Sequence, residues 1–354
     1  MGLVALARPG SCDPSGPVAT GRRLPLEHRV ARRCLPRNNA VVQRKVLAFC
    51  LVGLVALACT SVAALSGSRP PFKGKIAFAR FSEGVGRPQL FVLRSGAIRA
   101  ERLKLSLYAI DGPSWSPDGR SLIVVGGRNH PDEPRVTEED DLYLVRADGK
   151  GLRRLTSDTA HESGVVWSAD GKRIAYVRSS ASTPNESSIV VRSLKGGKAR
   201  RLTFGNVDLE PSWSPTGGGI VFLRIDARLH RSGIWLVRPD GSGLRRILTS
   251  LANVTDPVWS PHGDRLVVSD GQRLLVVRAD GSHQRTIARL SSDRTGGRPD
   301  AEPTWSPDGT TVAFVQARPG AEGRADLWAV SADGIGLVRL TRSPGFDLSP
   351  AWGP

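Results

Sequence analysis

The 354-residue sequence predicts an all-β fold, a six-bladed β-propeller of four-stranded blades, and three observations carry that prediction. The stretch Pro113-Ser-Trp-Ser-Pro-Asp-Gly119 recurs in variant form with its tryptophan at 115, 167, 213, 259, 305 and 352, at spacings of 52, 46, 46, 46 and 47 residues. A period of that length marks an array of like units, each burying its apolar face against the next. Between tryptophans lie three short β-branched and apolar runs broken by Asp-Gly turns, which is the pattern of antiparallel hairpins, because Gly accepts the positive φ such turns need. The two ends of the repeat region, finally, hold complementary fragments of one repeat.

With the Trp motif as strand a, the first complete repeat continues with residues 121–125 as strand b, 141–146 as c and 152–156 as d. The order returns at 174–177, 189–191 and 199–202; at 220–223, 234–237 and 244–247; at 266–268, 274–277 and 284–287; and at 312–315, 327–330 and 337–340. Four short strands in each unit of this length make a propeller blade. Upstream, residues 75–79, 89–93 and 101–105 supply strands b, c and d with no strand a, and downstream Pro350-Ala-Trp352 supplies a strand a alone. Joining the two fragments completes the sixth blade and removes an open sheet edge.

The Trp-Ser-Pro-Asp-Gly, Leu-Tyr-Leu-Val and Arg-Arg-Leu-Thr elements resemble the WD40-like (PD40) repeats of the TolB-type propeller family, over about residues 74–354. The resemblance implies a propeller that works in the bacterial cell envelope. TolB-type proteins resemble two-domain molecules with an α/β domain ahead of the propeller, whereas here the first strand is expected about ten residues after an apolar stretch.

That stretch, Val46 to Leu65, holds twenty residues without a charge, preceded by Arg44-Lys45 and ending in small residues. It is long enough to cross a bilayer and also has the form of a signal peptide, with Val62 and Ala64 before a cleavage point. Cys59 either packs in the membrane or is lipidated in a loose lipobox. Residues 1–45 read as a basic extension that is disordered or follows from a start site placed too early, with Val41 or Val42 as the true initiator. Residues 66–73 are a linker. The formal charge of +17 is uneven: residues 1–73 carry eleven Lys and Arg against two acids, leaving 39 against 31 for the remainder.

Each motif tryptophan (Trp115, Trp167, Trp213, Trp259, Trp305 and Trp352) is expected to fill the wedge between neighbouring blades with its large apolar face. Asp118, Asp170 and Asp308 precede Gly at a turn and are expected to accept backbone hydrogen bonds there. Just before each strand a stand acids: Asp111, Glu162, Asp208, Glu210, Asp256, Asp300, Glu302 and Asp347. Strand alternation places them on the same face as the b-to-c loops, including the acid-rich stretch 126–141. Two readings stand. The acids cap strand starts and bind their own backbone or a nearby Arg; or they ring the mouth of the channel as a negative funnel for a cation or a basic peptide. Calcium would suit such a rim, although no calcium-loop motif is present, and no other cofactor is expected. Arginines 146, 153, 154, 192, 200, 201, 238, 245, 246, 278 and 285 flank the c-to-d turns on the opposite face, where they either meet anionic lipid or keep outer edges soluble.

Several chemistries lack their residues. There is no Gly-x-Ser-x-Gly elbow, no His-x-x-x-His pair and no phosphate-cradling Gly loop. All four cysteines, at 12, 34, 50 and 59, precede the repeats, which therefore hold no disulfide or thiolate metal site. Few aromatics and export both argue against nucleic acid. The expectation is a non-enzymatic, monomeric, extracytoplasmic module that binds an envelope protein or peptide and meets the membrane through residues 46–65. The alternative is a glycan-binding module, or a glycoside hydrolase or lyase using a carboxylate pair on the acidic rim.

Overall fold

The computed structural model describes residues 72–354 apart from 83, 84, 86, 108–109, 128–139, 158, 181, 227–230, 249–250, 252–253, 292–300 and 319–323. The basic extension, the apolar helix expected at 46–65, the cysteines, most of the linker, Asp300 and the acid-rich 128–139 lie outside the described residues. Among the described residues no helix is long and apolar enough to cross a membrane.

The described strands pair in antiparallel sets of four. The first set holds β1 (Lys75–Phe81), β2 (Pro88–Arg94) and β3 (Glu101–Arg102). Next come β4 (Ile110–Trp115), β5 (Ser121–Gly127), β6 (Asp140–Arg146) and β7 (Arg153–Arg154); then β8 (His161–Trp167), β9 (Arg173–Ser180), β10 (Thr183–Ser193) and β11 (Arg200–Arg201). They are followed by β12 (Val207–Trp213), β13 (Ile220–Asp226), β14 (Arg231–Val237) and β15 (Arg245–Arg246), and by β16 (Thr255–Trp259), β17 (Arg265–Ser269), β18 (Arg273–Arg278) and β19 (Arg285–Arg289). The last set is β20 (Thr304–Trp305), β21 (Thr311–Ala317), β22 (Ala325–Ser331) and β23 (Val338–Arg339), after which β24 (Phe346–Gly353) pairs with β1 and completes the first sheet in the order β24-β1-β2-β3. One parallel bridge, Ser187 to Val207, links the sheets of β8–β11 and β12–β15.

Period-two alternation explains the core. Along β5, Leu122 and Val124 pack toward the β24-β1-β2-β3 sheet, while Ile123 and Val125 pack toward β8–β11. All four are buried, because each sheet is sandwiched on both faces. The six apolar clusters each straddle two successive sheets, and the one containing Phe78 and Leu327 joins the β20–β23 sheet back to the first. The architecture is an all-β, propeller-like fold.

Each motif tryptophan packs toward the preceding sheet. Trp115, Trp213, Trp305 and Trp352 are buried, and Trp167 and Trp259 are half-buried against the neighbouring clusters. The indole N–H of Trp167 donates to the Ser114 carbonyl at 3.1 Å, that of Trp305 to Val258 at 3.1 Å and that of Trp352 to Lys73 at 2.8 Å. The Ser and Asp that follow close the a-to-b turn. Ser116 Oγ donates to Asp118 at 2.6 Å, Asp118 accepts the Arg120 N–H at 3.0 Å, and Ser168–Asp170 and Ser306–Asp308 repeat the arrangement. These hydroxyl bonds, followed by the backbone N–H bonds, hold the three carboxyls below their ordinary value.

Candidate functional site

The inner strands β4, β8, β12, β16 and β24 each carry a register shift two to four residues before the motif tryptophan. Three residues before each tryptophan the backbone has positive φ: Gly112 (50°), Gly164 (55°), Glu210 (53°), Asp256 (54°), Glu302 (41°) and Ser349 (49°). A bulge of this kind re-aims side chains that a regular strand would send elsewhere. Here it turns six equivalent positions toward one cavity of about 450 Å³.

Around that cavity stand Asp111, Glu210, Asp256, Glu302 and Asp140, with no Lys, Arg or His among the described lining residues. The residues after the positive-φ positions, Pro113, Pro211, Pro257, Pro303 and Pro350, with Val165 in the sixth place, add a stiff apolar collar. Carboxylates also tie neighbouring strands together. Glu210 accepts the Asp256 N–H at 2.6 Å, Glu302 accepts the Ser349 N–H at 2.5 Å, and Asp111 accepts from the Ser349 hydroxyl and the Gly112 N–H, both at 2.7 Å. Below this belt, Trp259 N–H donates to Ser212 Oγ and Trp352 N–H to Thr304 Oγ1, each at 3.0 Å.

Of the eight acids expected from sequence, the seven described do not stand in one ring. Asp111, Glu210, Asp256 and Glu302 line the cavity. Glu162, Asp208 and Asp347, five residues before their tryptophans, are almost wholly buried and do not reach it. Asp208 holds Arg224 of the adjacent strand through two bonds of 2.7 Å, Asp347 holds Arg80 at 2.5 and 2.9 Å, and Glu162 faces Arg178 in the ladder. Asp208 and Asp347 are turned from the cavity to their cross-strand arginines, because a buried carboxylate must be paired. Asp300 lies outside the described residues. Sequence reasoning missed the proline collar and the inward arginines. Gly112 and Gly164 were the available signal, since two glycines at one repeat position mark a left-handed backbone there.

The outer arginines behave similarly. Arg153–Arg154, Arg200–Arg201 and Arg245–Arg246 form the two-residue outermost strands. Arg154 reaches back to buried Asp141 at 2.8 Å, and Arg339 and Arg318 converge on buried Asp326 at 2.6 and 2.9 Å. Among the described residues no group of three or more His, Cys, Asp or Glu side chains is placed to hold a metal ion, the rim carboxylates included.

The family described as TolB beta propeller domain (PD40) matches residues 61–296. Tol-Pal system protein TolB of Anaeromyxobacter sp. (strain K) is 37% identical over 89 residues, which cover 23% of this chain and 20% of that protein. Dipeptidyl-peptidase 5 of Porphyromonas gingivalis is 31% identical over 75 residues, covering 21% and 11%. The chain thus spans about a fifth or less of the length of these curated relatives. The crystal structure of TolB from Acinetobacter baumannii superposes with a TM-score of 0.65 at 18% identity, over 80% of this chain and 68% of that one, a likeness of fold.

Proposed function

We propose that this chain, which belongs to the TolB beta propeller domain family, is a six-bladed, non-enzymatic interaction module that works outside the cytoplasm and receives a cationic segment of an envelope protein at its acidic mouth. The Tol-Pal names of its relatives support an envelope setting.

One observation carries the reading. At the six equivalent positive-φ positions the chain uses Gly twice, yet keeps Glu210, Asp256, Glu302 and Ser349 at the others. A non-Gly residue held there costs about 1–3 kcal/mol. Three carboxylates and a hydroxyl kept at strained positions around one cavity point to a use for their polarity beyond the belt bonds they make. With acids on the lining and apolar proline walls, the field is focused at the mouth. A lysine or arginine side chain is the complementary guest, and the Pro faces suit the aliphatic part of such a side chain.

The test replaces Asp111, Asp256 and Glu302 by Asn, Asn and Gln, which keep hydrogen-bond acceptors while removing charge. A photo-crosslinker at Ser163 then reports capture in intact cells. The expected result is one envelope protein captured by the parent chain and lost in the triple variant. Undiminished capture by the triple variant would refute the site, and glycan or peptide turnover abolished by a single carboxylate change would make the chain an enzyme.

A further inference from the structure

The turns between the third and fourth strands share one hydrogen bond in four of the sheets. Arg146 N–H bonds the Lys150 carbonyl at 2.9 Å, Arg238 that of Ser242 at 2.9 Å, Arg278 that of Ser282 at 2.9 Å and Ser331 that of Ile335 at 3.0 Å. In all six sheets a pair of partnered residues flanking this turn stands eleven apart, as Phe91 and Arg102 or Tyr143 and Arg154, so the residue seven after the first of them is comparable by length. It is Lys150, Gly197, Ser242 and Ser282 in four sheets, but Ile335 in the β20–β23 sheet and Ile98 in the sheet that contains β24. Ile335 is 70% exposed and Ile98 80% exposed, and Leu337, two residues after Ile335, is 46% exposed. A position that is polar or Gly in four copies has no packing use for Ile, so the two isoleucines answer to something outside the fold.

Both lie where the chain arrives from its N-terminal side. Ser95, in the Ile98 turn, bonds the Phe72 carbonyl through its hydroxyl and the Gly74 carbonyl through its N–H. Phe72 stands edge-on to Trp352 at 5.6 Å, and Ala97 and Ala100, which bracket Ile98, pack in the same cluster as Val338. Exposed Lys73 stands with Phe72 and Ile335 around one surface pocket, and exposed Arg94 and Arg99 belong to the Ile98 turn. Three nearby acids hold local partners: Glu101 lies 3.7 Å from Arg94, Asp333 accepts the Ile335 N–H at 3.1 Å, and Asp308 accepts the Thr310 N–H at 3.1 Å.

We infer that this edge docks on an anionic lipid bilayer, with Ile98, Ile335 and Leu337 entering the headgroup boundary and Lys73, Arg94 and Arg99 meeting lipid phosphates. Aliphatic tips ringed by cations are the composition that binds such an interface. Chain length selects this occupant over a protein. The uncharged stretch 46–65 ends seven residues before Phe72, a reach of at most about 25 Å, so a bilayer holding that stretch comes within about that distance of Phe72, which Ser95 of the Ile98 turn bonds.

The experiment uses the full chain with its four cysteines changed to Ser and one environment-sensitive fluorophore at Ile98→Cys or Ile335→Cys, leaving the other aliphatics in place. Ser242→Cys, the equivalent turn position elsewhere, is the reference. Each is reconstituted into phosphatidylcholine vesicles and into vesicles of equal parts phosphatidylcholine and phosphatidylglycerol. Blue-shifted emission at 98 and 335, but not 242, in the anionic vesicles is expected. Arg99→Ala lowers the docked-to-free ratio about fivefold, the loss of roughly 1 kcal/mol for one charge at an anionic surface. Water-like emission at 98 and 335 in anionic vesicles overturns the proposal, as does an equal shift at 242. Blue emission already present in dilute detergent without lipid overturns it in favour of the chain's own apolar stretch, and emission that shifts with protein concentration does so in favour of a second copy. An unchanged thermal midpoint shows that the labelled variants are folded.

Discussion

Replacing Arg224 by Ala should reveal that Asp208 is a structural acid. The guanidinium meets both Asp208 carboxylate oxygens at 2.7 Å, with side-chain exposures of 9% and 0%, and also lies over the Trp235 ring at 4.9 Å. Truncation leaves the carboxylate buried without its counter-charge, which costs about 3–5 kcal/mol. For a domain of this size each kcal/mol lowers the melting temperature by about 2–4 °C, so a fall on the order of 10 °C is expected. Tryptophan fluorescence during thermal and urea unfolding reads it directly. The double variant Arg224→Met with Asp208→Val removes both charges together and should recover most of the loss, because a buried pair is often replaceable by apolar side chains at little net cost. A penalty below about 1 kcal/mol for Arg224→Ala, or a double variant less stable than the single, would refute the reasoning and return Asp208 to the candidates for ligand binding.

Three further outcomes follow from the geometry. Gly353→Ala should destabilise by about 1–3 kcal/mol, because its Cβ would fall 2.5 Å from Cγ of the Trp115 ring, and a melt of the purified chain checks this. Glu210→Gly should be more stable than Glu210→Ala by about 1 kcal/mol, since both lose the acceptor for Asp256 N–H but only Gly relieves the left-handed backbone. Asp118, Asp170 and Asp308 have native pKa values below their ordinary 3.8, owing first to Ser116, Ser168 and Ser306. Their contribution to stability is complete above about pH 4 and lost as pH falls through the lowered native values. Changing the three serines to Ala should therefore weaken the fold above pH 4 and flatten its acid dependence, measured as the unfolding midpoint against pH.

How far the chain could be read in advance depended on what repeats. The tryptophan spacing, the Asp-Gly turns and the split fragments at residues 75–105 and 350–352 reproduce the strand sets and the β24–β1 pairing, because burial on both faces of each sheet imposes the same apolar alternation in every copy. The acids were harder. Asp208 and Glu210 stand two apart and would share a side in a regular strand, so sequence alone grouped them. The register shift between Leu209 and Ser212 and the positive φ at Glu210 separate them, one to Arg224 and one to the cavity. Ion pairing was illegible for a similar reason: Arg80 and Asp347 are 267 residues apart, and only the closing strand brings them together.

That closing strand also dictates an order of events during synthesis. At about 5–20 residues per second, β1 must wait for something like 15–50 s before its partner leaves the ribosome. Until then it offers a bare row of N–H and C=O groups that the tail of another copy could occupy just as well. The nascent protein is thus open to exchanging tails between molecules for most of its translation. Chaperone supply or ribosome crowding would then set the proportion of closed single molecules to tail-exchanged pairs.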